Sequence, residues 1–109
     1  MIYTVDEIKN LVTPIARKYK LKSLWIFGSY ARGEATAESD VDFLMDYDGS
    51  TISNLYDFSD IFDSLEIAIN KKIDLITIEG LFDNINTKRA PKFTNRVCKE
   101  RIKIYERSG

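Results

Sequence analysis

The chain has 109 residues, 44% of them apolar and 30% charged, with a net charge of −1: room for one modest core, in the proportions of an ordinary globular domain rather than a disordered or membrane-spanning chain. It contains no histidine and a single cysteine, Cys98, which excludes Ser-His and Cys-His nucleophile pairs, histidine bases, most zinc sites and an internal disulfide. Chemistry here must run on carboxylates, hydroxyls, basic side chains or metal.

Met1 to Glu7 offer neither a basic start nor a long apolar run, and the apolar stretches are too short to span a bilayer. One domain over residues 1–109, in a reducing cytoplasm and away from membranes, is therefore expected. Cys98 is expected to be a small buried or half-buried apolar group.

The first element is a helix over about residues 5 to 20. Thr4 and Glu7 form a capping box, and Ile8, Leu11, Val12, Ile15, Ala16 and Tyr19 recur at helical spacing. Pro14 is expected to kink or split it. Ser23 to Phe27 reads as a strand, Gly28-Ser29 opens a short helix, and a polar loop leads to Ser39. A second strand covers about 41 to 47 and stops at Asp48-Gly49-Ser50. A second amphipathic helix follows, with Leu55, Phe58, Ile61, Phe62, Leu65 and Ile69 on one face and Asp57, Asp60, Asp63 and Glu66 on the other. That acidic stripe is a solvated surface or a docking face for a basic partner. Strand three is 72 to 78, broken by Gly80. Residues 81 to 90 are ambiguous: Asn84, Asn86 and Thr87 suggest a loop, while Leu81, Phe82 and Ile85 would suit one apolar turn. Pro91 opens a last helix with Phe93, Val97, Cys98 and Ile102 inward, finishing near Ile104-Tyr105. This order indicates an α/β domain with a small sheet.

Charge is unevenly spread, with local sums of −2 over residues 1–54, −5 over 55–87 and +6 over 88–109. The basic segment suits nucleotide phosphates, RNA, an acidic protein face, or simply a solvated helix.

The most specific pattern runs from Gly28-Ser29 through a ten-residue spacer to Asp40-Val41-Asp42. Backbone N–H groups and a hydroxyl at a strand-to-helix turn can hold phosphate oxygens. Residues two apart on a strand point to the same side, so Asp40 and Asp42 aim their carboxylates together. Such a pair repels unless a cation sits between its members, and a hard divalent ion, above all magnesium, suits it. Asp42 also lies between Val41 and Phe43 in a strand that otherwise reads as core, where an unpaired charge is costly. The Gly-Ser turn is not a P-loop, since the Gly-Lys-Ser/Thr ending is missing.

This stretch resembles the nucleotidyltransferase superfamily, and the short chain looks most like the minimal nucleotidyltransferases, the MNT antitoxins that pair with HEPN-domain ribonuclease toxins. The resemblance covers about residues 23 to 77. It implies a polymerase beta-like fold, a small mixed sheet flanked by helices with the two metal-binding strands side by side. It also requires a third carboxylate on a later strand, for which Asp74 between Ile73 and Leu75 is well placed; taken alone, Asp74 would simply face solvent.

By this resemblance, Asp40, Asp42 and Asp74 are the catalytic and metal-binding residues, holding two magnesium ions, with Asp74 nearest the acceptor as base. Gly28 and Ser29 position the β- and γ-phosphates of ATP, Gly28 because a side chain would obstruct close approach. Arg32 either adds positive charge to the phosphates or anchors the short helix through Glu34 or Glu38. The implied function is transfer of AMP from ATP to a tyrosine of the HEPN toxin, which inactivates it. An acceptor domain is not expected within this length, so a second macromolecule brings the acceptor. Two rival readings are an antitoxin acting by stoichiometric binding without catalysis, and a nucleotidyltransferase acting on RNA or a small molecule, for which the basic segment is the supporting feature. Too few aromatics are interleaved there, only Phe93 and Tyr105, for a stacking platform on single strands.

Overall fold

A computed structural model describes residues 2–83 and 91–108. Helix α1 (Val5–Lys18) starts at the capping box: the Glu7 N–H donates to Thr4 Oγ1 at 3.1 Å and the Thr4 N–H to Glu7 Oε1 at 2.9 Å. It runs unsplit across Pro14, which is exposed, as is Asn10, whose carbonyl the proline leaves without its helical donor. Strand β1 (Ser23–Phe27), the one-turn helix α2 (Ser29–Arg32) and strand β2 (Val41–Asp46) follow. Helix α3 (Leu55–Ile69) is capped by Asn54, which accepts from the Asp57 N–H at 2.9 Å, and ends at Asn70 in the left-handed conformation. Strand β3 (Ile73–Thr77) leads directly into a second one-turn helix, α4 (Ile78–Leu81), and helix α5 (Pro91–Glu100) precedes strand β4 (Ile102–Glu106).

The sheet is mixed, in the order β3-β2-β1-β4, with β2 parallel to β3 and β1 antiparallel to both β2 and β4. Alternation divides it into two faces. Val41, Phe43 and Met45 of β2 join Leu24, Ile26 and Ile73 beneath α1 and α3, where Ile8, Val12, Ala16, Ile61, Leu65 and Ile69 are buried. The opposite face has a smaller core in which Phe27 and Leu44 meet Leu81 of α4 and Val97 of α5. Asp42 falls on this second face by the same parity that buries Phe43 on the first.

Several expectations need correction. The last helix ends at Glu100, and residues 102–106 form a strand that pairs with β1. Ile-Lys-Ile-Tyr is β-branched and aromatic, and β1 has a free edge to receive it. A register shift between Leu24 and Trp25 accompanies adjacent Ile104 and Tyr105 on the α1/α3 side, one buried in the core and the other packed against it. Phe93 and Ile102 are each 38% exposed rather than inward, while Val97 and Thr94 are buried and Cys98 is half-buried. Leu55 is 83% exposed; at 100° per residue it lies about 80° round the helix from Leu65, at the margin of the apolar stripe. Gly80 does not merely break β3: its N–H donates to Thr77 Oγ1 at 2.9 Å, which caps α4. Tyr30 packs into the larger core, with its hydroxyl buried and without a hydrogen-bond partner among the described residues. The readings of Asn84, Ile85, Asn86 and Thr87 lie outside the described residues.

If β4 is integral to the sheet, Ile104→Ala should lower the unfolding free energy by about 2–5 kcal/mol. Ile102→Ala, two residues away on the same strand, should cost less than about 1 kcal/mol. Urea denaturation of the two variants checks this; equal, small effects would mean that the strand is peripheral.

Candidate active site

All six residues singled out in the sequence, Gly28, Ser29, Arg32, Asp40, Asp42 and Asp74, line one cleft of about 310 Å³ on the thinly covered face of the sheet. Pairing across three strands makes it so. Phe27 is opposite Asp42, and Asp42 is opposite Asp74 in the parallel pair, so the end of β1 and the two acidic strands present their residues in a row. The loop before Asp40 is pinned at both ends of its turn. The Thr36 N–H donates to Ser39 Oγ at 2.8 Å, the Ser39 N–H to the Thr36 carbonyl at 3.1 Å, and Lys71 Nζ to the Ala37 carbonyl at 2.9 Å.

Asp40 and Asp74 are exposed and Asp42 is half-buried. Burial, followed by repulsion from Asp74, a hydrogen bond with Asp74 and repulsion from Asp40, pushes the Asp42 carboxyl up to about 7; Arg32 opposes this only weakly. Such a site resists its own negative charge and would be relieved by a cation. Among the described residues, no three acidic or thiol side chains converge closely enough to form a ready-made metal cage. The donor set is nonetheless chemically suited to a hard divalent ion: carboxylate oxygens on one rim, with Asp42, raised chiefly by its burial and then by Asp74, the one most relieved by a nearby positive charge.

Gly28 has a reason the sequence did not supply. Its backbone has φ 75°, and an added Cβ would lie 2.0 Å from Asp42 Oδ2, so the Asp42 carboxylate fills the space a side chain would need. The Gly28 N–H donates to Glu100 Oε2. Arg32 anchors its surroundings in the way one of the two readings held, though with a different second partner. Its Nε donates to Glu34 Oε1 at 2.8 Å and its Nη1 to Glu100 Oε1 at 3.0 Å. Glu38 instead accepts from Thr36 Oγ1 at 3.4 Å. Ser29 lines the cleft, and its hydroxyl has no hydrogen-bond partner among the described residues.

Sequence reasoning missed the wall that α5 contributes, Phe93, Arg96 and Glu100. Phe93 packs edge-on against Phe27, with ring centroids 6.2 Å apart, and the Arg96 guanidinium lies 5.8 Å from the Phe93 ring centre. The only advance signal was the run of basic charge from residue 88 onward, and that does not single out these three.

Comparison with known proteins gives a consistent result. Residues 9–109 match the family described as Polymerase beta, Nucleotidyltransferase. A chain of Methanocaldococcus jannaschii with the provisional name protein adenylyltransferase is 38% identical over 82 residues, covering 72% of this chain and 82% of that one. The protein adenylyltransferase MntA of Thermococcus cleftensis is 31% identical over 86 residues, covering 75% and 85%. A structure described as a tri-AMPylated Shewanella oneidensis HEPN toxin in complex with its MNT antitoxin superposes with a TM-score of 0.60 at 17% identity, over 93% of this chain and 71% of that chain, which supports the fold.

The raised Asp42 carboxyl predicts how stability depends on pH. Between its ordinary 3.8 and about 7, the folded protein keeps a proton that the unfolded chain has lost, so this contribution to stability is present at low pH and lost as pH rises through 7. Asp42→Asn should therefore melt a few °C above the wild type near pH 8, with the gap closing towards pH 4. With no histidine in the chain, few other side chains titrate in the upper part of that window, near neutral pH. Calorimetry across the range checks it, and a gap independent of pH would contradict the assignment.

Proposed function

The chain belongs to the polymerase beta nucleotidyltransferase family, among its minimal nucleotidyltransferases, and from that premise we propose that it transfers AMP from ATP to a tyrosine of a HEPN-domain ribonuclease toxin, as the antitoxin of a toxin-antitoxin pair. The observation that carries the reading is the strand register that sets Asp42 opposite Asp74, with Asp40 two residues upstream and Gly28 against the Asp42 carboxylate. In the reaction, the acceptor hydroxyl oxygen bonds to the α-phosphorus, the bond to the β-phosphate side breaks, pyrophosphate leaves, and the hydroxyl proton passes to a base.

Asp74 suits the base. It stands on the outermost strand of the sheet, exposed at the rim, where a hydroxyl on another macromolecule can reach it. Asp40, Asp42 and Asp74 would hold the divalent cation, magnesium by preference and in one or two ions. Bound there, it would screen the triphosphate and stabilise charge on the attacking and leaving oxygens. Ser29, with its uncommitted hydroxyl, and Gly28 would orient the phosphates at the strand-to-helix turn. Arg32 and Arg96 both line the cleft and would supply positive charge to the phosphates. The adenylyltransferase names of the relatives support ATP as donor and protein as acceptor. A cytoplasmic site of action agrees with the absence, among the described residues, of any helix long and apolar enough to cross a membrane.

The test is label transfer to a co-expressed HEPN partner, using ATP labelled at the α- or the γ-phosphate. Label should reach protein from the α-position alone. Asp74→Asn should slow transfer by about 10²–10⁴-fold while nucleotide binding persists, and Asp42→Asn should abolish it. Magnesium alone should raise the melting temperature of the wild type near pH 8 and leave Asp42→Asn unmoved. Toxin neutralisation that survives in Asp42→Asn would instead establish inhibition by binding, and label on RNA would identify a different acceptor.

A further inference from the structure

Glu100 has the opposite charge to the role its position implies. It is one of two acidic residues among eight basic ones over residues 88–109, and the other, Glu106, pairs with Lys103 at 2.8 Å on the surface. Glu100, the last residue of α5, turns into the cleft instead, with its side chain only 10% exposed. There its Oε2 accepts from the Gly28 N–H and from Arg32 Nη1 at 3.1 Å, and its Oε1 accepts from Arg32 Nη1 at 3.0 Å. A half-buried carboxylate held by a backbone N–H and a guanidinium has the chemistry of a bound phosphate oxygen pair.

We propose that Glu100 is a built-in anion that occupies the phosphate donors of the empty cleft and is displaced by the triphosphate. This rests on the nucleotide reading given above and adds a regulating residue to that site. An entering polyphosphate meets two donors already satisfied by a carboxylate, so its affinity is lowered by the cost of evicting it. Eviction has a ready destination. Arg96 lies four residues before Glu100 on α5, lines the same cleft, and has no ion-pair partner among the described residues. A rotation of the Glu100 side chain would exchange Arg32 for Arg96, which is in reach at (i, i+4) although the base-before-acid order makes this the weaker of the two such pairings. Arg32, still held by Glu34 through Nε, would then offer its freed Nη1 to the ligand. The site is thus filled by protein until a stronger anion arrives, which keeps weak cellular anions out and favours a ligand with several phosphates.

Isothermal titration with magnesium and a non-hydrolysable ATP analogue, and separately with tripolyphosphate, tests this. Glu100→Ala should bind both probes about tenfold more tightly than the wild type, the equivalent of about 1.4 kcal/mol, and Glu100→Gln should gain less because it keeps an acceptor for Gly28. Asp63→Asn makes the same change in net charge on exposed α3, across the sheet, and should change affinity less than about twofold. Weaker or unchanged binding in a cooperatively melting Glu100→Ala would overturn the proposal, since a residue that only braces Arg32 would lower affinity when removed. In the wild type the Gly28 amide resonance should shift on saturation with tripolyphosphate as its acceptor changes, and an unmoved resonance would likewise overturn it. If no form binds nucleotide, or if Asp40→Ala/Asp42→Ala binds as well as wild type, the nucleotide reading of the cleft fails and this inference with it. Tight Asp-dependent binding with no gain in Glu100→Ala would sink the inference alone.

Discussion

A carboxylate set into the middle of a small sheet governs the arrangement around it. Asp42 shares β2 with Val41, Phe43 and Met45, all fully buried, and only alternation keeps its charge out of the main core. The consequences extend through the fold. One face of the sheet can be closed by the two long helices, α1 and α3, because every β2 residue on that side is apolar. The other can be covered only in part, by a one-turn helix and by α5, because a full apolar layer there would strand the acid. Position 28 must be glycine, since the Asp42 carboxylate stands where a Cβ would be.

The same constraint sets the electrostatics of the cleft. Four carboxylates, the three aspartates and Glu100, line one space, and Asp42 among them resists ionisation, so the unliganded site is less stable than a neutral one would be, a common feature of sites built for chemistry. Basic charge from α5 and Arg32 surrounds the aspartates without pairing with them. Arg32 is bound by Glu34 and Glu100 instead, so the cleft keeps this cation apart from its three aspartates.

Two parts of this site were legible in the sequence because they are local, a turn after a strand and two acids at strand spacing; the third acid, Asp74, was named only through the family resemblance, and its register opposite Asp42 came with the sheet. The capping box at Thr4 and Glu7 was legible for the same reason. What escaped was non-local or ambiguous in period. Glu100 reaches Gly28 across 72 residues, and nothing in its neighbours distinguishes a carboxylate turned into a cleft from one in a surface (i, i+4) pair. Ile102 to Glu106 follow a helix without a glycine or proline to mark the break, so the helical period was carried too far. Only the open edge of β1 decides for a strand, and that edge is not visible until the sheet is assembled. Leu55 misled because an apolar residue at the margin of a helical stripe satisfies the pattern without being buried.

The basic segment shows how far a charge count can depart from a charged surface. Arg101 and Lys103 lie 4.8 Å and 5.4 Å from the centre of the Trp25 ring, on the strand next to β4. Arg107 is committed to backbone, donating from Nη1 to the Lys20 carbonyl at 2.9 Å and the Asp48 carbonyl at 3.2 Å. These cations are used to fasten β4 and the chain end to the body of the domain. They do not form one groove with the residues at the cleft. Lys92, Arg96 and Lys99 lie together along α5, and only Arg96 of the three also reaches the cleft. A long polyanion would need a continuous track of free cations to exploit the segment's net charge, whereas a compact triphosphate needs two or three converging on one point. Among the described residues, only Arg96 of this segment joins Arg32 at the cleft, and the segment's remaining described cations are spread over the surface of α5 and the fastening of β4.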